Sequence, residues 1–239
     1  MFGLSFTATF WIYVLVGGVA QIAATAALLG SFTTGNFAVG TAFSKTEAAQ
    51  AALFGLVILG DQVSPVGLAG IAISLVGVVL LSGSLTFSQL LHPAPGQGRQ
   101  MLLGLAAAAG FAISAIGFRG ASLALGDGTY LERAGITVAV AVSLQTLLLG
   151  GYLTAFEPGE FRRTLLEYRV GVWVGLIGMI ASVGWFTAMT LTNAAVVRAV
   201  GQVELLFTVM TSVWLLKEKI RLREVLGIVF VVFGIILLI

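Results

Sequence analysis

The sequence predicts an all-α integral membrane protein: a bundle of about eight transmembrane helices with an inverted internal repeat. Three observations predict it. Of 239 residues, 59% are hydrophobic and only 9% charged, with a mean hydropathy of +1.08, whereas a soluble domain carries roughly 25% charged residues. The apolar residues form solid blocks of about twenty, the length that crosses a bilayer as a helix, not the alternating segments of about ten residues that build a membrane barrel. The chain also matches itself when slid by 157 residues. Too few polar groups remain to cover a water-facing surface. In lipid every backbone N–H and C=O must be satisfied within the protein, which leaves helices.

The apolar segments run in order over about 8–29, 36–60, 65–83, 101–122, 130–154, 170–191, 194–216 and 222–239. Most connections between them are very short. Two are longer. Ser84 to Gln100, with Pro93 and Pro95, reads as the boundary between two halves and holds His92, the only histidine. Phe156 to Arg169 carries Glu157, Glu160, Glu167, Arg162, Arg163 and Arg169 and reads as a solvated, partly helical loop. The expected organisation is therefore 1–84 as a first repeat of three helices, 85–100 as the connecting loop and 101–239 as a second repeat of five. Met1 to Phe10 has no positive n-region of a secretory signal, so insertion is expected to rest on the helices themselves.

The self-match is gapless and lays residues 36–82 over 193–239, with 11 of 47 pairs identical. Apolar identities are cheap between membrane helices, but polar and glycine ones are not. Asn36 falls on Asn193, Glu47 on Glu204, Asp61 on Glu218, Gly70 on Gly227 and Gly77 on Gly234. By this offset a complete first half would need two further helices ahead of Met1. An odd number of spans per half inserts the second copy upside down, an architecture common among secondary transporters.

These residues carry a family resemblance. The segment Asn36-Phe-Ala-Val-Gly-Thr-Ala-Phe-Ser-Lys45-Thr46-Glu47, then Leu59-Gly60-Asp61 and the glycine-punctuated helix with Gly70 and Gly77, resembles the drug/metabolite transporter superfamily, specifically its EamA-type members. The second half repeats the pattern with Glu204, Leu216-Lys217-Glu218, Gly227 and Gly234. The resemblance implies ten spans where this chain has eight, and a multi-pass protein of a bacterial-type inner (plasma) membrane that moves small solutes. Ala48 stands where family members often have proline.

Charge inside the apolar segments is the sharpest functional signal, because a charged side chain at a helix centre costs about 2.5–3.5 kcal/mol on insertion scales. Lys45, Glu47, Arg198 and Glu204 lie there, with Gln202 at the repeat position of Lys45. Two readings stand side by side: a midplane cavity for a polar solute or proton, or two inter-helix ion pairs, since the four charges sum to zero. A gate can be both. Trp185 lies mid-segment, away from the membrane interface that tryptophan prefers, and reads as cavity-lining or packed. Gln21 and Gln202 are intramembrane hydrogen-bonding groups. Asn36 and Asn193 open helices, either as plain N-caps or as helix N-termini facing an anionic group. The seven-residue glycine spacings return to one helix face and read as close-packing seams.

No catalytic set, metal-ligand cluster or phosphate loop appears, and Cys is absent, so no cofactor, metal or nucleic acid is expected. The expected partners are a small-molecule substrate and the lipid bilayer, with a proton as coupling ion and a second copy of the chain, completing a homodimer, left open. Lys and Arg in the connections number two on the side of the termini (Arg119, Arg133) against eight on the other. The positive-inside rule then puts the termini outside, whereas the resemblance implies the cytoplasm. The leading expectation is a secondary transporter exporting a small polar or amphipathic metabolite by alternating access. The alternative is a truncated or non-transporting membrane fragment or assembly partner.

Overall fold

The computed structural model describes residues 5–33, 37–81, 98–215, 217 and 221–238. Asn36, His92, Glu218 and most of the expected connecting loop lie outside them. Among the described residues there are eleven helices and no strand: α1 (Ala8–Thr33), α2 (Phe37–Ser44), α3 (Glu47–Leu59), α4 (Pro65–Leu81), α5 (Gly98–Ala124), α6 (Tyr130–Phe156), α7 (Pro158–Leu166), α8 (Tyr168–Leu191), α9 (Ala194–Gly201), α10 (Glu204–Leu215) and α11 (Leu222–Leu238). Six stretches are long and apolar enough to cross a membrane, counting α2–α3 and α9–α10 as one each. The protein is an all-α membrane protein.

Two expected spans, 36–60 and 194–216, are each broken in two. The α2–α3 break falls at Lys45–Thr46 and the α9–α10 break at Gln202–Val203, and adding 157 to the first pair gives the second. At both, the backbone turns through tighter i→i−3 bonds, Thr46 N to Phe43 O at 3.2 Å and Val203 N to Val200 O at 3.0 Å. Such a turn frees backbone groups from the α ladder. The starts at 37, 47 and 65 recur at 194, 204 and 222, each 157 residues on.

The chain divides into two compact units, Met1–Ile22 with Gly117–Thr192, and Ala23–Ile116 with Asn193–Ile239. Each draws helices from both halves of the sequence, and the divisions fall inside α1 and α5.

In the first unit, α6 begins with a capping box: Glu132 N donates to Thr129 Oγ1 at 3.2 Å and Thr129 N to Glu132 Oε2 at 2.8 Å, satisfying two otherwise orphaned donors. Gln145 of α6 donates to Gln21 Oε1 at 2.7 Å and to the Gly18 carbonyl at 3.3 Å. The end of α5 is zipped to the end of α8 by stacked Phe118 and Phe186 rings, 4.5 Å between centroids, and a 2.6 Å bond between the Ser122 and Thr190 hydroxyls.

In the second unit, α4 and α11 run in opposite directions along a glycine seam. A methyl group on Gly70 would lie 2.7 Å from the Gly234 carbonyl oxygen, and one on Gly77 2.8 Å from that of Gly227. Without bulk the backbones approach closely, which compensates for the missing hydrophobic drive between helices in lipid. The two contacts are reciprocal: Gly70 maps on Gly227 and Gly77 on Gly234 under the 157-residue shift. Beside this seam α3 meets α9 through Ala48, Ala51, Ala52, Ala195 and Ala199, joined by Ile71 of α4 and Ala112 of α5. At the end of α3, Gly60 adopts φ +70°, the left-handed state that glycine enters without steric cost. Its repeat partner Lys217 adopts φ +56°, which costs a side-chain-bearing residue roughly 1–2 kcal/mol.

Candidate functional site

The helix breaks of the second unit build the site. Breaking α2–α3 at Lys45 frees its carbonyl, and Gln202, at the repeat-equivalent break, donates its side-chain amide to that oxygen at 3.2 Å. The Gln202 carbonyl oxygen accepts from Ser74 Oγ of α4 at 2.5 Å. Gln202 is 2% exposed, so this three-way bond satisfies polar groups that hydrocarbon could not. The two breaks thus face each other and hold each other.

The charges flanking the breaks pair across the same junction. Lys45 Nζ donates to Glu204 Oε1. Arg198 Nη1 lies 3.7 Å from Glu47 Oε2, and its guanidinium carbon lies 6.0 Å from the centroid of the Phe111 ring. These four charges are therefore in ion pairs, and each pair joins a residue of the first sequence half to one of the second. The pairs differ in exposure. Both side chains of Arg198–Glu47 are mostly covered, at 15% and 13% exposed, whereas Glu204 is 56% exposed against 17% for Lys45. Removing one partner of a buried pair costs about 3–5 kcal/mol. A pair with one exposed partner is worth only about 0–1 kcal/mol. Lys45–Glu204 is therefore the more weakly held of the two pairs.

Lys45, Glu47, Arg198, Gln202 and Glu204 are brought together. Gln21 and Trp185 belong to the first unit: Gln21 is bonded to Gln145 and Trp185 is half-buried in α8. Asn193 is an N-cap, its Oδ1 accepting from Ala195 N at 2.9 Å, as its position after a short connection suggests.

Arg119 lies near the end of the expected span 101–122. Counted among the aqueous connections, it lies inside α5, five residues before the helix end, and donates to the carbonyl oxygens of Met189 at 2.8 Å and Thr192 at 2.7 Å. A helix end leaves its last carbonyls unpaired, and a cation there also offsets the helix dipole. The signal that could have found it is an arginine inside an otherwise unbroken apolar run. Among the described residues no group of His, Asp or Glu is placed to hold a metal.

Residues 99–239 match the family model described as the EamA-like transporter family. One solved crystal structure, of a protein described no further, superposes with a TM-score of 0.66 at 16% identity, covering 95% of this chain and 74% of that one. At that identity the likeness speaks for the fold alone. No curated protein matches the chain.

Proposed function

The chain belongs to the EamA-like transporter family, a family of membrane transporters of the drug/metabolite type, and from that premise we propose that it is a secondary transporter exporting a small polar or amphipathic metabolite by alternating access, across a bacterial-type plasma membrane. One observation carries the reading: two broken helices, 157 residues apart in sequence, meet at Lys45 and Gln202 with their charges paired across the junction. A broken helix exposes backbone and charge at membrane depth, which lipid tolerates only where a cavity or a protein partner receives them. The reciprocal Gly70–Gly234 and Gly77–Gly227 contacts between oppositely running helices support an inverted repeat, whose two halves rock about a fixed site.

In this mechanism the Lys45–Glu204 pair is the working element. A proton on Glu204 cancels its charge and uncovers Lys45, whose ammonium then receives an anionic or strongly polar group of the solute. Release of the solute and the proton lets the pair re-form. Arg198–Glu47 holds the two breaks in register throughout. The chain carries no ATP-binding motif, so an ion gradient or exchange drives the cycle. The test is a flux panel in proteoliposomes of the purified protein, with amino acids, sugars and nucleosides, with and without a proton gradient. At least one solute should move faster than in protein-free vesicles, and faster with the gradient. No flux of any solute in either condition overturns the reading.

A further inference from the structure

We propose that the groove between the end of α3 and the start of α4 binds a membrane lipid with a primary ammonium headgroup, of the phosphatidylethanolamine type. The groove holds about 470 Å³. Ala49, Ala52, Leu53 and Leu56 line it along α3, and their spacing puts them on one face of that helix. Leu68 of α4 stands opposite, and Asp61 and Gln62 of the connection close one end. Leu53, Leu56 and Leu68 are 59%, 51% and 50% exposed, so the protein does not fill the space itself.

Depth and charge identify the occupant. The membrane-crossing stretch that contains α3 ends at Leu59. Ala49 lies ten residues before it, roughly 15 Å along the axis and so about half the thickness of the hydrocarbon core. The groove therefore runs from hydrocarbon depth to the membrane edge, apolar along its length and acidic at its mouth. A lipid carries its chain and headgroup in the same order. The acid serves neither helix end. Gly60 closes α3, its N–H on the Gly55 carbonyl, and Ser64 opens α4, its Oγ accepting from Gly67 N at 3.0 Å. Asp61 N donates to the same Gly55 carbonyl at 3.1 Å, and Asp61 Oδ2 lies 3.9 Å from where a methyl on Gly55 would stand. The carboxylate is thus held over the C-terminal end of α3, whose carbonyls carry partial negative charge of their own. Both attract a cation and repel an anionic headgroup. The Gln62 amide beside them is a donor for the phosphate or ester oxygens of the same lipid. The small-residue lining belongs to the first copy of the repeat: 157 residues on, Leu206 and Val209 stand at the positions of Ala49 and Ala52.

The experiment titrates the delipidated full chain in detergent with phosphatidylethanolamine and, in parallel, with phosphatidylglycerol, reading bound lipid by native mass spectrometry. Two variants accompany the wild type: Asp61→Asn, and Ala49→Leu, which puts in the groove the residue that the second repeat carries at that position. The wild type should hold phosphatidylethanolamine about tenfold more tightly than phosphatidylglycerol, the order that a charge-assisted hydrogen bond supplies. Asp61→Asn should abolish that preference, and Ala49→Leu should weaken binding of both lipids severalfold by filling the space. Equal affinity of the wild type for the two lipids overturns the proposal, and this comparison decides even where a variant fails to fold. A preference that survives in folded Asp61→Asn, unchanged binding in folded Ala49→Leu, or a dimer whose formation excludes the lipid also overturns it.

Discussion

Replacing Gly234 with alanine perturbs both the seam and the site, and the structure sets the size of the effect. The new methyl would lie 2.6 Å from the Gly70 carbonyl oxygen, 2.8 Å from Ser74 N and 2.9 Å from Ser74 Cβ. These neighbours are backbone or nearly so and cannot swing aside, so α4 and α11 must separate by about 0.6–0.8 Å to restore ordinary contact at roughly 3.4 Å. Overpacking of this kind costs about 1–3 kcal/mol. The same movement stretches the 2.5 Å Ser74–Gln202 bond toward the limit of a hydrogen bond, which removes about another 1 kcal/mol. A loss of about 2–4 kcal/mol in a chain of this size lowers the melting temperature by about 4–16 °C. Thermal unfolding of the detergent-solubilised protein, followed by tryptophan fluorescence, reads it. Gly70→Ala makes the same demand from the other side. One separation relieves both clashes, so the double variant should melt within a few degrees of the worse single one, because neighbouring substitutions do not add. A Gly234→Ala protein melting within 1 °C of wild type, or a double variant with fully additive losses, would refute the close approach along this seam.

Three further outcomes follow from the repeat. Lys217→Gly should raise stability by about 0.5–1 kcal/mol, because the left-handed conformation at φ +56° strains lysine by roughly 1–2 kcal/mol and glycine returns part of that gain as chain entropy; thermal melting checks it, and an unchanged or lower midpoint contradicts it. Glu204→Gln should lower solute flux at least tenfold with melting nearly unchanged, since an exposed pair contributes only about 0–1 kcal/mol. Glu47→Gln should lower both flux and melting, because it leaves the mostly covered Arg198 uncompensated at a cost of about 3–5 kcal/mol. Equal melting losses in the two variants would contradict the assigned difference between the pairs.

What was legible in the sequence is what repeats or has a composition. Apolar runs of helix length marked the spans, the paired glycines marked the α4–α11 seam, and Asn193 announced a cap. The helix breaks were not legible, because neither Lys45–Thr46 nor Gln202–Val203 contains proline and only Gly201 stands beside either. What ends the α ladder there is a tertiary partner for the freed groups, the Gln202 amide on the Lys45 carbonyl, and that partner is 157 residues away. The four charges were found as candidates, but which acid meets which base depends on the crossing of α3 and α9. What Arg119 binds was not legible. Its acceptors, two backbone carbonyls of α8, have no side-chain signature at all.

The central claim is that the charges at the junction act on the solute and do not merely fasten the helices. The direct measurement is solute flux, beside the melting temperature, for the neutral double variant Lys45→Met/Glu204→Met in proteoliposomes. A pair with one exposed partner contributes only about 0–1 kcal/mol, so the double variant, which leaves neither charge unpaired, should fold and melt close to wild type. The account predicts that flux is then lost, at least tenfold, in a protein that remains folded. A folded double variant that transports at the wild-type rate would contradict it and reduce Lys45 and Glu204 to a structural tie.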